Sequence, residues 1–394
     1  TLTVKKGDAV KKGQRIAEPG GFVSVPLHSP VCGTVGDIIE ITGVTGASEQ
    51  AVEIIADGTD EWDTGLDPIP DWADTEKDVL KKRILDAGIV GMGGAAFPTH
   101  VKLSPPPEKN IDTLIVNGAE CEPFLTADHR LMLTRTEEAL TGIAIAAKIL
   151  KVSRIFVGVE DNKMDAIEKM AEAAAKFKIT VVPLHVKYPQ GAEKQLIYAL
   201  TGRQVLEGGL PMDVGCVVMN IGTAAAVHDA VVLGHPLIER VTTVTGTPVV
   251  DPANYLVRIG TPIRKLLELS GGVKENPAKV IMGGPMMGFA QSNIDVPVAK
   301  NSSGVLLMAP EEIEQFEGNP CIRCSRCVKA CPMNLLVPTL STMIEAGEFA
   351  MAEHNYVMDC VECGTCAYIC PAKRPLVQHF RRAKAEILAK RRKK

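Results

Sequence analysis

The chain has no strong excess of charge of either sign: 43 Lys and Arg stand against 47 Asp and Glu, a formal net charge of −4 over 394 residues. That balance gives no global attraction to nucleic acid or to an anionic membrane. No apolar run reaches the roughly 18 residues that a membrane-spanning helix needs. The nearest candidate, Val214–Leu233, is interrupted by Asn220, His228 and Asp229. No secretory signal pattern opens the chain. Thr1 already lies in a strand-like pattern, so the natural N-terminus is expected upstream. A disulfide framework is missing too, although cysteine is not scarce. Of 11 Cys, eight fall in two tight runs and three, Cys32, Cys121 and Cys216, stand alone. Single thiols beside cluster-type runs fit a reducing cytoplasm. The length is enough for roughly two to four domains with substantial cores.

What is present is concentrated at the far end. Cys321-x-x-Cys324-x-x-Cys327-x-x-x-Cys331-Pro332 is followed by Cys360-x-x-Cys363-x-x-Cys366-x-x-x-Cys370-Pro371. This doubled run is the bacterial spacing for a pair of 4Fe–4S clusters, in which the fourth Cys of each run ligates the other cluster. It predicts Cys321, Cys324, Cys327 and Cys370 for the first cluster, and Cys360, Cys363, Cys366 and Cys331 for the second. A pair of Cys₄ zinc sites is the alternative. Zinc sites usually present two separated C-x-x-C pairs and leave the third and fourth Cys of each run unexplained. The doubled run implies a chain that carries electrons.

Upstream, residues 1–57 read as β structure within a first domain expected over 1–62: Val4-Lys-Lys-Gly7-Asp8-Ala-Val10-Lys-Lys-Gly13 repeats a short alternating motif, and His28-Ser-Pro30-Val-Cys-Gly33-Thr-Val35 supplies a second hairpin-like unit. The pattern resembles the barrel-sandwich hybrid of biotinyl and lipoyl carriers. No Met-Lys-Met-like tip is present, so a docking or structural module without a modified Lys is expected. Residues 58–75, rich in Pro, Trp and Asp, read as a linker. From 76 to 235 strands and helices alternate: helix Lys77–Ala87, strand Asp112–Val116, one long helix Asp128–Leu150, strand Arg154–Val159, helix Lys163–Phe177, strand Ile179–His185, helix Gly191–Leu200, strand Cys216–Ile221 and helix Thr223–Val232. That alternation predicts a mainly parallel, doubly wound sheet, with ligands beyond the strands' carboxyl ends. Residues 236–300 return to β character. From 305 to 394 the chain is expected to be helical, with Pro310–Phe316 leading into the first Cys run and a basic helix over His379–Lys394.

Within the α/β stretch, Gly91-Met-Gly93-Gly94-Ala-Ala96 matches G-x-G-x-x-A. A helix precedes it instead of a strand, so the dinucleotide fingerprint is a poor fit. A glycine turn still exposes backbone N–H groups to an anion, and Lys102 adds a charge.

The longer motif Gly91-x-Gly93-Gly94-x-x-Phe97-Pro98-Thr99-x-x-Lys102 resembles the flavin loop of the NADH-oxidising flavoprotein subunit of respiratory complex I. Asn117-Gly-Ala-Glu120-Cys121-Glu122-Pro123 and Tyr188-Pro-Gln-Gly191-Ala-Glu193 resemble that subunit's next two loops. Over essentially the whole chain, the order of modules resembles the family of C subunits of Rnf complexes, ferredoxin:NAD⁺ oxidoreductases coupled to ion transport. The resemblance implies a multidomain α/β and α+β architecture: a barrel-sandwich hybrid, a doubly wound parallel-sheet flavin/NADH domain, a β-grasp (SLBB-like) domain and an α-helical ferredoxin domain. It implies non-covalent FMN, two 4Fe–4S clusters and NAD(H) as substrate. Gly91, Gly93 and Lys102 would hold the FMN phosphate, Gly94 would belong to the same cofactor-binding loop, and Phe97 would stack on the nicotinamide nucleotide. Asn117 and Glu120 would line the flavin and Glu122 would contact NAD(H). Gly191 and Glu193 would close the site, and Asn220 with Thr223 would bind FMN from the fourth strand end. Ala119 stands where complex I flavoproteins carry Asp, so the hydrogen bonding around the flavin must differ there. The implied partners are ferredoxin-type and integral-membrane subunits, with ferredoxin reached indirectly, at the cytoplasmic face of a membrane.

Two other readings share parts of this pattern. Cobalamin reductases of microcompartments are similar in the flavin, β-grasp and two-cluster parts, but would place the barrel-sandwich module last. A non-catalytic electron wire would have lost Lys102 and the Glu120/Glu122 pair. Cys121, His100, His129 and His228 read as structural, and Glu160–Lys163 as a helix start beside a strand end. Arg323, Arg326, Lys329, Lys373 and Arg374 surround the Cys runs and either raise the cluster potentials or form a solvated basic face.

Overall fold

The computed structural model describes residues 1–313 and 318–392. Its elements fall into four successive units, and Phe316, Lys393 and Lys394, which the sequence places in helices, lie outside the described residues. The first unit carries β1 (Ala9–Val10), β2 (Arg15–Ala17), β3 (Leu27–His28), β4 (Gly33–Thr42) and β5 (Ser48–Ala56). β4 pairs antiparallel with both β1 and β5, while β2 and β3 form their own pair. Val10, Ile16 and Val35 make its small core.

The second unit contains α1 (Lys77–Asp86), α2 (Thr99–Lys102), β6 (Thr113–Gly118), α3 (Ala127–Thr134), α4 (Thr136–Leu150), β7 (Arg154–Glu160), α5 (Met164–Ala174), β8 (Thr180–Leu184), α6 (Glu193–Thr201), β9 (Cys216–Asn220) and α7 (Ile221–His228). The four strands are parallel, in the order β8-β7-β6-β9. β6 and β9 are continuous apolar runs because helices cover both faces of the sheet. In α5, Ala166, Ile167, Met170 and Ala174 recur at helical spacing and are buried. α4 and α7 approach closely at Gly142, where a Cβ would lie 1.8 Å from the Ala224 carbonyl oxygen. Only glycine fits there.

The single long helix expected over Asp128–Leu150 is two. The backbone leaves the helical region at Arg135 (φ −132°, ψ 40°). The Arg135 guanidinium is held by both carboxylate oxygens of Asp229, at 2.6 and 3.0 Å. Thr136 Oγ1 donates to the Met132 carbonyl at 2.6 Å and satisfies an acceptor exposed by the break.

The third unit is a five-stranded sheet ordered β11-β10-β14-β12-β13, with α8 (Ile263–Leu269) packed on it. Its strands are β10 (Glu239–Thr245), β11 (Ala253–Arg258), β12 (Lys279–Met282), β13 (Phe289–Gln291) and β14 (Gly304–Met308). β14 is central, parallel to β10 and antiparallel to β12. The expected boundary at residue 300 therefore cuts off the strand that closes this sheet. Leu306 and Leu307, read from the sequence as the approach to a helical region, are core residues of the sheet.

The fourth unit holds α9 (Arg326–Lys329), α10 (Val337–Glu345), α11 (Phe349–His354), α12 (Thr365–Tyr368) and α13 (Leu376–Arg392). Pro310–Glu312 forms one 3₁₀ turn in place of the start of a longer helix. Gly347, at φ +78°, makes the corner between α10 and α11. Leu340 and Ile344 of α10 pack with Phe380, Ala383 and Ile387 of α13.

Candidate functional site

In the parallel sheet the winding reverses between β6 and β9, and doubly wound sheets bind ligands outside the carboxyl ends at that point. Asn117 and Asn220 are register partners at those two ends. Both amides are held fast. Asn117 Nδ2 donates to the Gly191 carbonyl at 2.8 Å and its Oδ1 accepts from the Ala119 N–H at 3.0 Å. Asn220 Oδ1 accepts from the Gly222 N–H at 2.8 Å, capping α7, while its Nδ2 donates to Asp128 Oδ2 at 2.7 Å.

The glycine loop lies across these ends. The Gly91 N–H donates to the Phe97 carbonyl at 2.8 Å and the Thr99 N–H to the Ile89 carbonyl at 3.0 Å, which closes the loop at its base. The Met92 N–H donates to the buried Thr223 Oγ1 at 2.9 Å. Gly93 rests on Asn220, where a Cβ would come 3.0 Å from the Asn Cβ, whereas Gly94 faces open space. Phe97 is 42% exposed. Gly191 closes the third side, and a Cβ there would fall 2.4 Å from the Ala119 carbonyl oxygen. Lys102 Nζ donates to the Val218 carbonyl at 2.8 Å and to Glu193 Oε1 at 3.0 Å. The Lys102 and Glu193 side chains keep 35% and 41% of their surface, so an arriving phosphate can replace the Glu193 carboxylate at Lys102. These features fit a flavin phosphate: a glycine cradle kept free of side chains, a cation at its edge, and two fixed amides behind it.

Both acidic residues of the second loop are engaged by backbone amides. Glu120 accepts from the Asp128 and His129 N–H groups at 3.0 and 3.1 Å and caps α3. Burial first, then the charge of Asp128, push its pKa up to about 7. Glu122 accepts from the Met286 and Met287 N–H groups of the third unit at 3.0 and 2.7 Å. Cys121 is pushed up to about 11 by burial and accepts from the Gly191 N–H at 3.4 Å, so it is a protonated structural thiol. His129 and His228 pair with Asp165 and Asp229, and His100 meets the Phe22 carbonyl. Glu160 and Lys163 close a buried pair at 2.9 Å.

The cysteines sort by space and not by run. Cys331, Cys360, Cys363 and Cys366 share the wall of one cavity, so one member comes from the first run and three from the second. Conversely, the Cys327 thiol feels Cys370 and Cys321 as its neighbouring thiols. This grouping fits the crossed ligation that the spacing predicts. Among the described residues no three His, Cys, Asp or Glu side chains gather on a point as one ion requires. Burial and the neighbouring thiols push Cys366 up to about 12, and burial pushes Cys360 up to about 11. Such thiols ionise when iron supplies the opposing charge.

The second cysteine set is also the one that meets the flavin unit. Tyr188 OH, on the third loop, donates to the Cys363 carbonyl at 2.7 Å, and Gln195 Nε2 donates to the Pro332 carbonyl at 3.0 Å.

Comparison with known proteins agrees with this anatomy. Residues 1–59 match the RnfC barrel sandwich hybrid domain, 84–229 the Nuo51 FMN-binding domain, 241–290 the SLBB domain and 320–374 the 4Fe-4S dicluster domain. The chain is 50% identical over 384 residues to the C subunit of the proton-translocating ferredoxin:NAD(+) oxidoreductase complex of Clostridium ljungdahlii, covering 97% of this chain and 84% of the relative. It is 47% identical to the C subunit of the Na(+)-translocating complex of Acetobacterium woodii, covering 100% and 89%. The chain belongs to the family of C subunits of ion-translocating ferredoxin:NAD⁺ oxidoreductase complexes. A longer member from Pseudomonas aeruginosa is 44% identical, and the chain spans 51% of it. An NAD⁺-reducing NiFe hydrogenase shares the fold, with a TM-score of 0.57 at 17% identity over 82% of this chain and 68% of that one. The RnfC-type module comes first, the order that separates this family from the cobalamin-reductase reading.

Three site features escape a reading of the sequence. Asp128 orients Asn220 but looks like an ordinary helix-start residue. Arg240, buried in β10, donates to the Met92 carbonyl at 3.2 Å and steadies the flavin loop from the third unit. Its signal is a charge at an inward strand position. The Tyr188 contact with Cys363 joins residues far apart in the chain, and no local pattern announces it.

Proposed function

We propose that this subunit exchanges a hydride with NAD(H) at FMN held by the Gly91–Lys102 loop and relays single electrons through two 4Fe–4S clusters to its partner subunits. When bound, FMN supplies the conversion between two-electron and one-electron chemistry. The protein's part is binding and orientation. The N–H groups around Gly91, Gly93 and Gly94, together with Lys102, take the phosphate. Asn117 and Asn220 present fixed amides to the flavin, Thr223 holds the loop through Met92, and Gly191 leaves room for the ring system. Phe97, exposed at the mouth, offers a face for the nicotinamide nucleotide, and Glu193 is freed from Lys102 when phosphate arrives. Glu120 acts indirectly, through α3 and the Asp128–Asn220 bond.

One observation carries the reading: the cysteine set Cys331/Cys360/Cys363/Cys366 is docked on the third flavin-type loop by Tyr188 and Gln195. That order puts the second cluster next to the flavin and leaves the first, with Cys321 and Cys324 exposed, for a partner. Among the described residues no helix is long and apolar enough to cross a membrane. In this reading the subunit sits peripherally on the cytoplasmic face, held by integral-membrane subunits; membership of the family and the reducing requirement of the clusters support it. The test is anaerobic purification and reconstitution, followed by FMN and iron assay and by EPR after NADH addition. Bound flavin, iron and NADH-dependent cluster signals are expected. Iron without flavin, and no response to NADH, would sink the proposal in favour of a simple electron wire.

A further inference from the structure

Glu122 belongs to the second flavin-type loop, yet its carboxylate is spent on the third unit. Both oxygens accept backbone N–H groups of the turn Gly283–Gly288, from Met286 at 3.0 Å and Met287 at 2.7 Å. The turn is shaped for this. Gly283 has φ +102°, and a Cβ on Gly284 would lie 2.3 Å from Glu122 Oε2. A carboxylate received by two adjacent amides makes strong, charge-assisted bonds that fix the turn's position.

The other side of the same turn rests on the second cluster's binding loop. A Cβ on Gly364, between Cys363 and Cys366, would fall 2.6 Å from the Met286 carbonyl oxygen, and Gly364 has φ +81°. Arg381 Nη2 donates to the Met287 carbonyl at 3.4 Å, and its guanidinium lies 4.8 Å from the Phe289 ring centroid. Arg381 and Lys384 both bind the Glu362 carboxylate, at 3.0 and 2.8 Å, and Lys384 also donates to the Cys360 carbonyl at 2.6 Å. Contact is therefore continuous from the flavin unit, through one turn of the β-grasp unit, to the backbone that carries Cys360, Cys363 and Cys366.

We infer that Glu122 is a positioning residue that seats the Gly283–Gly288 turn against the Cys363–Gly364 loop and so sets how closely the second cluster lies to the flavin site. The inference rests on the electron path proposed above. Tyr188 and Gln195 link the two units directly, and Glu122 links them indirectly, through a turn that both must touch. Because electron transfer slows steeply with distance and cluster properties follow the surrounding hydrogen bonds, loosening the turn acts on the cluster.

The test compares wild type with Glu122→Ala, Glu122→Gln and Gly364→Ala, all reconstituted anaerobically. Hydrogen exchange at the Met286 and Met287 amides is followed together with the EPR spectrum of the second cluster and the rate of its reduction after NADH has bleached the flavin. In Glu122→Ala the two amides are expected to exchange at least tenfold faster, the second cluster's spectrum to change, and its reduction to slow at least tenfold. Glu122→Gln keeps one acceptor and falls between. Gly364→Ala pushes on the same contact from the cluster side and reproduces the spectral change with the Glu122 carboxylate intact. Amide protection and cluster spectrum both unchanged in Glu122→Ala, whatever happens to the KM for NADH, would overturn the inference. If the electron path itself were wrong, wild type would show no NADH-dependent cluster reduction, a separate result.

Discussion

The two cysteine runs have the same spacing, but the protein treats the resulting cluster sites differently. The first set lies at the surface: Cys321 and Cys324 are exposed and Cys327 alone is buried. Arg323 is exposed beside them. The second set is enclosed. Cys363 and Cys366 are buried, Tyr188 and Gln195 reach in from the flavin unit, and the Met286 turn covers Gly364. Spacing decides which thiols can wrap a cubane, and tertiary contact decides whether that cubane is an inner relay or an outer terminal. The proposed path needs one cluster close to the flavin and one that a partner can reach, and the unequal enclosure of the two cysteine sets supports that division.

This asymmetry can be broken most severely at the ligands. Cys366→Ser should remove the inner cluster, roughly halve the bound iron, and abolish NADH-dependent reduction of the outer cluster. Cys324→Ser should remove the outer one while NADH still reduces the inner. Iron assay and EPR distinguish the two; equal loss of NADH response in both variants would mean that the clusters are not in series.

A smaller but still large effect is expected in the core behind the inner site. Phe380 on α13 is 1% exposed and lines the cavity that the four inner cysteines share. Phe380→Ala should cost about 3–5 kcal/mol of stability, read by chemical denaturation. The inner EPR signal should disappear at lower denaturant than the outer one, the reverse of wild type.

Removal of iron sharpens the comparison without mutation. Chelator and mild oxidant should strip the outer cluster several-fold faster than the inner, because its ligands are reached without opening the fold. Iron release followed at two EPR signals checks this, and a single common rate would contradict it.

The smallest effect concerns charge. Lys384 donates to the Cys360 carbonyl from a largely buried position. Lys384→Gln should lower the inner cluster's potential, because a positive charge beside a thiolate-ligated cluster favours the reduced, more negative form. Arg323→Gln should lower the outer potential by less, since solvent screens an exposed charge. Potentiometric titration of both clusters orders the two shifts.

Much of this was legible in the residues. The strand–helix alternation between 76 and 235 announces the parallel sheet because fully buried strands are uninterrupted apolar runs, and the Asn117–Glu122 loop and the Asn220 turn follow β6 and β9 as such sheets require. Where the reading failed, a distant side chain had overridden a local pattern. Asp229 draws Arg135 out of the helix that Asp128–Leu150 suggests. β14 becomes the centre of the third sheet only because β10 and β12 leave a gap for it. The hydrogen bonds of Glu122 to amides more than 160 residues away in the chain are likewise invisible to any local pattern.

The sequence by itself determined the chemistry that can occur: eight cysteines at cubane spacing, a glycine loop with a lysine, and asparagines where strands end. These are local, because spacing along the chain sets which backbone atoms and ligands can face one point. How enclosed each cysteine set is, which carboxylates are held by distant amides and how the units are clamped were left to the tertiary structure. Those outcomes depend on contacts between residues that share no segment, and no period or motif within one segment encodes them.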